Sequence, residues 1–348
     1  MAANTNRIIW IDYVKAFAIM IVIMLHIGIP DPFRTIVRSF IIPIFFILSG
    51  LFYTPNKYTT YNTFWEHKTL RLLVPYLILN AITYIYWLLI ARNLGADAET
   101  TIPFWKPLLG IILGLEHWME HCKPLWFLPC LMLTEWIFYL LHRMSKKNEK
   151  ILLGYVTLTT LLGFLLSQFN TPPLPWGIGG SCSMMLFYFI GYILRIKNYF
   201  DILQKTNQHY YSTTFLGSIC LISIVFCTYL SLQTSETKVF ENSYGNLFYS
   251  IPAAICGSMF LITLGMIVHK LFPLSKVLKY IGQHTLPILA MHLIVAGWIK
   301  GFTYFILDLP LIIYSELWIQ LVFVFAIIWL SLPVCYLYDK SKQVLVNL

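Results

Sequence analysis

Charge is what this 348-residue sequence has least of: Asp, Glu, Lys and Arg make up 11% of it, against 58% hydrophobic residues. Soluble domains carry about a quarter charged residues, so a soluble globular class is excluded before any motif is read. Acidic residues are the scarcer sign, fifteen against twenty-four basic, for a net charge of +9. The basic residues are scattered between apolar runs rather than gathered on one polar face, which argues against nucleic acid as a partner. Several signatures are missing as well. No glycine loop with its lysine is present to cradle phosphates, so nucleotide-driven transport is not indicated. Neither HExxH nor a similar metal spacing occurs, and there is no nucleophile elbow of the G-x-S-x-G type. No soluble domain, low-complexity tract or internal repeat interrupts the chain, which reads as one domain over 1–348.

The seven cysteines are an odd number without metal spacing. Cys130, Cys220, Cys227, Cys256 and Cys335 sit inside apolar runs and read as small buried hydrophobes. Cys122 and Cys182 can both lie near the outer face, which leaves one disulfide open.

Long apolar runs are what the sequence does have. The mean hydropathy is +0.71, and aromatics at 17% suffice for two interfacial belts. With about 20 residues per span, ten helices are expected near 8–29, 35–53, 70–91, 124–142, 151–168, 181–196, 212–232, 246–268, 285–306 and 311–337. The stretch Pro103 to Leu115 is apolar but too short to cross, so a re-entrant or surface helix is expected there. The first span lacks a small-residue cleavage site and is read as retained rather than as a signal peptide. With the N-terminus inside, sixteen basic residues fall on inner segments, among them Arg7, Lys57, Lys68, Arg71, Arg143 and Lys205, and seven on outer ones. That asymmetry predicts an even number of spans with both termini cytoplasmic. The longest outer segment, Arg92 to Lys123, combines Asp97, Glu99, Glu116 and Glu120 with Trp105, Trp118, His117 and His121; it is either a ligand-recognition segment or a plain interfacial one.

The first span, RIIWIDYVKAFAIMIVIMLHIGI from Arg7 to Ile29, carries three ionisable groups: Asp12, Lys15 and His26. Each costs roughly 2.5–3.5 kcal/mol at mid-membrane if charged, which a mere anchor does not require. Eleven helical steps separate Lys15 from His26, three turns and a small remainder. The two therefore share a face, roughly 16 Å apart along the axis. Asp12 is one turn before Lys15 and within reach of it. A polar cavity along this face, with His26 as a general base, is one reading. The other is an interfacial histidine and a helix-packing Asp12–Lys15 pair.

Further candidates come from later spans. Lys68 and Arg71 are one turn apart at the inner start of the third helix, where two cations on one face suit a phosphorylated ligand. Ordinary positive-inside topology explains them as well. Glu135, within the fourth span, is expected to pair with Lys15, Lys68 or Arg71, or to be protonated. His292, in the ninth span, either packs in the core or lines the cavity. Trp126, Arg38 and His121 at the outer side complete the possible cavity or acceptor contacts, and Glu316 can orient His26 only if the two meet. PIFFILSG, from Pro43 to Gly50, is a close-packing signal.

Six pieces in order resemble the type 3 membrane acyltransferases, which include bacterial carbohydrate O-acetylases of the fucose 4-O-acetylase and enterobacterial-common-antigen acetylase kind. They are IDYVKAFAIMIVIMLHIGI, PIFFILSGLFY, KTLRLLVPY, PLWFLPCLML, LFYFIGYILR and TLPILAMH, and with the ten-helix pattern they span nearly the whole chain. The resemblance implies an all-α membrane enzyme with His26 catalytic and Lys15 its basic partner, where many relatives carry arginine. It implies an acyl-CoA co-substrate, most simply acetyl-CoA, on the cytoplasmic side near Lys68 and Arg71, and no bound cofactor or metal. Relatives often have arginine at both of those positions, so Lys68 departs from the pattern. The acceptor implied is a hydroxyl of a glycan or lipid-linked saccharide, and the location a bacterial inner membrane, in contact with its lipids. A rival class, a glycan or metabolite transporter or flippase, would favour matched Gly/Pro-broken helices in two halves, and none is found.

Overall fold

The computed structural model describes residues 8–54, 58, 60–94, 101–169, 173–199, 211–309 and 316–346. Arg7, Lys57, Asp97, Glu99 and Lys205, which figure in the topology reading, lie outside them. Among the described residues, thirteen helices of eight residues or more follow in order: α1 (Ile9–Ile27), α2 (Phe33–Leu51), α3 (Tyr61–Ala91), α4 (Trp105–Leu113), α5 (Lys123–Met144), α6 (Glu149–Leu166), α7 (Pro175–Ser183), α8 (Met185–Ile196), α9 (Tyr211–Ser231), α10 (Leu247–Leu271), α11 (Lys276–Gln283), α12 (Thr285–Phe305) and α13 (Leu317–Val346). Among the described residues there is no β-strand, only an isolated bridge between Lys238 and Ser243. Nine described helices are long and apolar enough to cross a membrane, and ten if α7 and α8, bent by 56° against each other, form one span.

The outward faces confirm what surrounds these helices. Leu158, Leu161, Leu162 and Leu165 of α6 are exposed, as are Leu221, Val225 and Phe226 of α9 and Val322, Phe325 and Trp329 of α13. Water does not tolerate apolar surface on that scale, whereas lipid does. The chain is an all-α, multi-pass membrane protein.

α1 runs through the middle of the bundle. Trp10, Ile11, Val14, Ala18, Ile19 and Ile23 are all buried, and α2, α10, α11, α12 and α13 pack around it. It stops because Gly28 adopts a left-handed conformation (φ 101°) and returns its N–H to the Met24 carbonyl. His26 thereby sits in the last turn. Glycines set the closest approaches. A Cβ on Gly50 of α2 would run into the Tyr188 carbonyl of α8, and one on Gly191 into the Ile47 carbonyl, so the two helices meet backbone to backbone.

α3 begins nine residues before the expected start at 70. Thr60 and Thr63 form a reciprocal cap that carries the helix through the polar stretch YNTFWEHK. It then widens into a π-helical turn over Thr69–Leu73, where the Val74 N–H reaches back to the Thr69 carbonyl. Pro75 has no N–H with which to continue the ordinary ladder, which accounts for the widening. α4, over the apolar stretch that is too short to span, is a nine-residue helix ended by Gly114 (φ 62°). The Tyr76 hydroxyl holds it by donating to the Ile111 carbonyl at 2.6 Å. All seven cysteines are free, and the disulfide left open between Cys122 and Cys182 does not form. Both are buried; the Cys122 thiol lies 3.5 Å from the Ala290 carbonyl.

Candidate active site

One face of α1 borders open space. Lys15, Ile19, Val22 and His26, spaced four, three and four residues, line a cavity of about 780 Å³. Its other walls come from α2 (Phe45, Ser49) and Phe52 just after it, α3 (His67, Arg71, Leu79), α5 (Pro124, Trp126, Phe127) and α12 (Leu286, Leu289), with Gln283 of α11 and Tyr338 of α13. That volume is within the range of small-molecule sites. The walls are mostly apolar, with polar groups concentrated toward two ends.

At one end stand Lys15 and Arg71. The Lys15 ammonium lies 5.1 Å from the centre of the Phe52 ring, a cation–π contact that helps hold it in the cavity wall. Arg71 is exposed. His67 is held through its Nδ1 by the Tyr58 hydroxyl at 2.9 Å. Asp12 is buried, and Gly282 of α11 packs against its main chain so closely that a Cβ would strike the Asp12 carbonyl. Asp12 is not part of the cavity lining.

At the other end His26 opens into the cavity, its ring centre 5.1 Å from that of His292. His292 is fully buried, and its Nδ1 lies 2.8 Å from the Leu289 carbonyl. A carbonyl only accepts, so Nδ1 carries the proton and Nε2 of the neutral ring presents a lone pair. That Nε2 is buried with no hydrogen-bond partner among the described residues. Trp126 lines the cavity nearby and packs on Phe127 and Phe240. Arg38 and Lys123 are near enough to act electrostatically on His26. Each has a carboxylate of its own: Arg38 binds Glu236 at 2.9 Å and Lys123 binds Glu120 at 3.1 Å.

The expectation of Lys68 and Arg71 as a pair on one face is corrected. Arg71 lies within the π-helical turn that begins just after Lys68, and its wider winding leaves three residues well short of a full turn. Lys68 points inward and is buried, 2.7 Å from Glu135 Oε2, while the Ser49 hydroxyl donates to Glu135 Oε1 at 2.5 Å. Among the three partners proposed for Glu135, Lys68 is the one it takes. Lys68 is committed to that ion pair and does not line the cavity, which leaves Arg71 facing it alone of the two.

His121 does not reach the cavity either. Its Nε2 meets Asn80 Oδ1 at 2.8 Å, and Asn80 in turn donates to the Tyr76 carbonyl. It lies outside the spans, and burial pushes its pKa down to about 4, so it is a neutral fastener of the 101–126 segment to α3. Glu316 is exposed, and its carbonyl accepts from the Gln320 N–H; the side chain beside Gly28 and the end of α1 is that of Gln320, 3.1 Å from the Gly28 carbonyl.

The sequence reading missed His67, Gln283, Tyr338 and Ser49 as cavity groups. His67 stands next to Lys68 in the run WEHKTLRLLVPY, and its register from Arg71, one turn on, was the available signal. Gln283 and Tyr338 carried none, because only tertiary packing brings them to the cavity.

No curated protein and no solved structure matches the chain. A family model described as an acyltransferase domain, that of the acyltransferase 3 family, matches residues 8–340. The chain belongs to the acyltransferase 3 family, and it is a membrane acyltransferase.

Proposed function

We propose that this protein is an O-acyltransferase of a bacterial plasma membrane. In this reading it moves an acyl group, most simply acetyl, from cytoplasmic acyl-CoA to a hydroxyl of a cell-envelope or exported glycan. The observation that carries the reading is the single cavity lined by Lys15 and His26 from one face of α1, with Arg71 at the lysine end. The phosphates of CoA would dock at Arg71 and Lys15, since guanidinium and ammonium groups suit them. The pantetheine arm would then follow the apolar wall of α1 for roughly 16 Å and present its thioester beside His26. The excess of basic residues on the segments at the Lys15 end supports a cytoplasmic location for that end. His26 then faces the outer side, where a glycan acceptor is met.

The chemistry needs a base for the hydroxyl proton and relief for the negative charge on the thioester carbonyl. A His26 nitrogen takes the proton as the hydroxyl oxygen attacks the carbonyl carbon. The tetrahedral adduct then collapses, the C–S bond breaks, and the thiolate of CoA receives the proton back from His26. The products are an ester and free CoA, and no cofactor is consumed. Trp126, which lines the same cavity, offers an aromatic face for a sugar ring.

In membranes carrying the protein, His26→Ala should reduce acyl transfer to glycan by 10² to 10⁴-fold while the protein still inserts. Mass spectrometry of surface glycans with and without the protein reads the added mass and the sugar that bears it. Unchanged transfer in the variant removes His26 from the mechanism. Movement of substrate across proteoliposomes without consumption of acyl-CoA would replace the whole reading with a transporter.

A further inference from the structure

We propose that His292 is the positioning residue for His26, its Nε2 lone pair accepting the N–H of the His26 ring and so fixing which nitrogen of His26 faces the substrate. The inference rests on the reading of His26 as the base. Three observations carry it. The tautomer of His292 is set by the Leu289 carbonyl, 2.8 Å from Nδ1, which leaves Nε2 as an acceptor. That acceptor is buried and unpartnered among the described residues, and a buried acceptor without a donor is a costly arrangement. The neighbouring imidazole is His26, with ring centres 5.1 Å apart and planes at 54°. Ring centres at that distance allow a nitrogen of each ring to meet within about 3 Å when the two are turned toward one another.

The consequence is chemical. A neutral imidazole on its own is a mixture of two tautomers, and only the one with its lone pair toward the acceptor hydroxyl can take a proton. With one N–H given to His292, the opposite nitrogen of His26 is the basic one. The same hydrogen bond strengthens when His26 becomes cationic during transfer. His292 does this from a helix different from that of His26. Its Nδ1 anchor is the carbonyl of Leu289, itself a wall of the cavity, so the geometry of the base is tied to the wall the donor slides along.

The test compares His292→Phe, which keeps the ring volume and removes the acceptor, with His292→Gln, whose amide oxygen restores one. The inference expects His292→Phe to lower kcat about 100-fold with KM for acyl-CoA unchanged, and His292→Gln to recover to within about 5-fold of the parent. Nitrogen-15 NMR of histidine-labelled protein in lipid nanodiscs, with the His26 signal assigned by its loss in His26→Ala, should show one neutral tautomer in the parent. It should show a mixture in His292→Phe. Full activity of His292→Phe overturns the inference, as does equal slowing by both substitutions with the His26 tautomer unaltered. If His292→Phe does not fold, the parent spectrum decides, and a mixture of tautomers there also overturns it. Failure of the broader reading looks different: transfer would persist in His26→Ala.

Discussion

Two polar assemblies penetrate the apolar interior of this protein, and they differ in what their charges can reach. In the first, Lys68, Glu135 and Ser49 close on one another at 2.7 and 2.5 Å, the two charged side chains almost wholly buried. In the second, Lys15, Arg71 and His26 are spread along a cavity wall with space in front of them. A closed ion pair answers its own charge and has nothing left for a ligand. The open set borders a space that a ligand can enter. The difference teaches that depth of burial does not by itself identify a working residue here, since both assemblies lie among the same helices and share α3. What separates them is whether a cavity adjoins the charged atoms.

Breaking the closed assembly gives the largest expected effect on the fold. Glu135→Ala leaves the Lys68 ammonium buried without its carboxylate and should destabilise the protein by about 3–5 kcal/mol, read as thermal unfolding in detergent. The paired replacement Lys68→Met with Glu135→Leu removes both charges and should return to within about 1 kcal/mol of the parent. A paired variant as unstable as Glu135→Ala would show that the assembly contributes more than mutual neutralisation.

His121 provides a second structural contrast, with His26. It is sealed between Asn80 and Tyr84 and is held neutral by burial, its pKa pushed down to about 4 from 6.5. Unfolding restores the ordinary value, so the unfolded chain binds the extra proton first. Stability is therefore greatest above pH 6.5 and falls as the pH drops toward about 4. The loss comes to about 3 kcal/mol for a shift of this size. His121→Gln, which keeps a donor for Asn80 and cannot titrate, should flatten the dependence of melting temperature on pH across that window. An unchanged slope would place the titration elsewhere.

The same contrast explains what was legible in the sequence. Periodicity along α1 was enough to set Lys15 and His26 on one face, because a regular helix fixes direction by residue count alone. Hydropathy sufficed for the spans. At Lys68 and Arg71 the count failed, since it assumed ordinary α-helical winding through a stretch that Pro75 widens into a π-turn. The partner of Glu135 and the pairing of His292 with His26 depend on which helices neighbour one another, and no local pattern encodes that. Glu316 was considered as a support for His26 from its place in the chain, yet Gln320, one turn further along α13, is the residue that meets the end of α1.

The comparison of the two assemblies can be sharpened at Lys68, just before the π-turn, and Arg71, within it. If openness to the cavity is what gives a charge its role, Arg71→Ala should raise KM for acyl-CoA about 10-fold, equivalent to roughly 1.4 kcal/mol, with little change in kcat. The loss should shrink as salt is added, because the contact to phosphate at an exposed guanidinium is screened. Arg71→Lys keeps the charge but not the fork, and should fall between the two. The Lys68→Met, Glu135→Leu pair, assayed alongside, should leave KM for acyl-CoA where it was, although Lys68 is three residues from Arg71. A rise in KM from the paired variant equal to that from Arg71→Ala would mean that the closed assembly opens when the donor arrives, and that Lys68 exchanges Glu135 for phosphate.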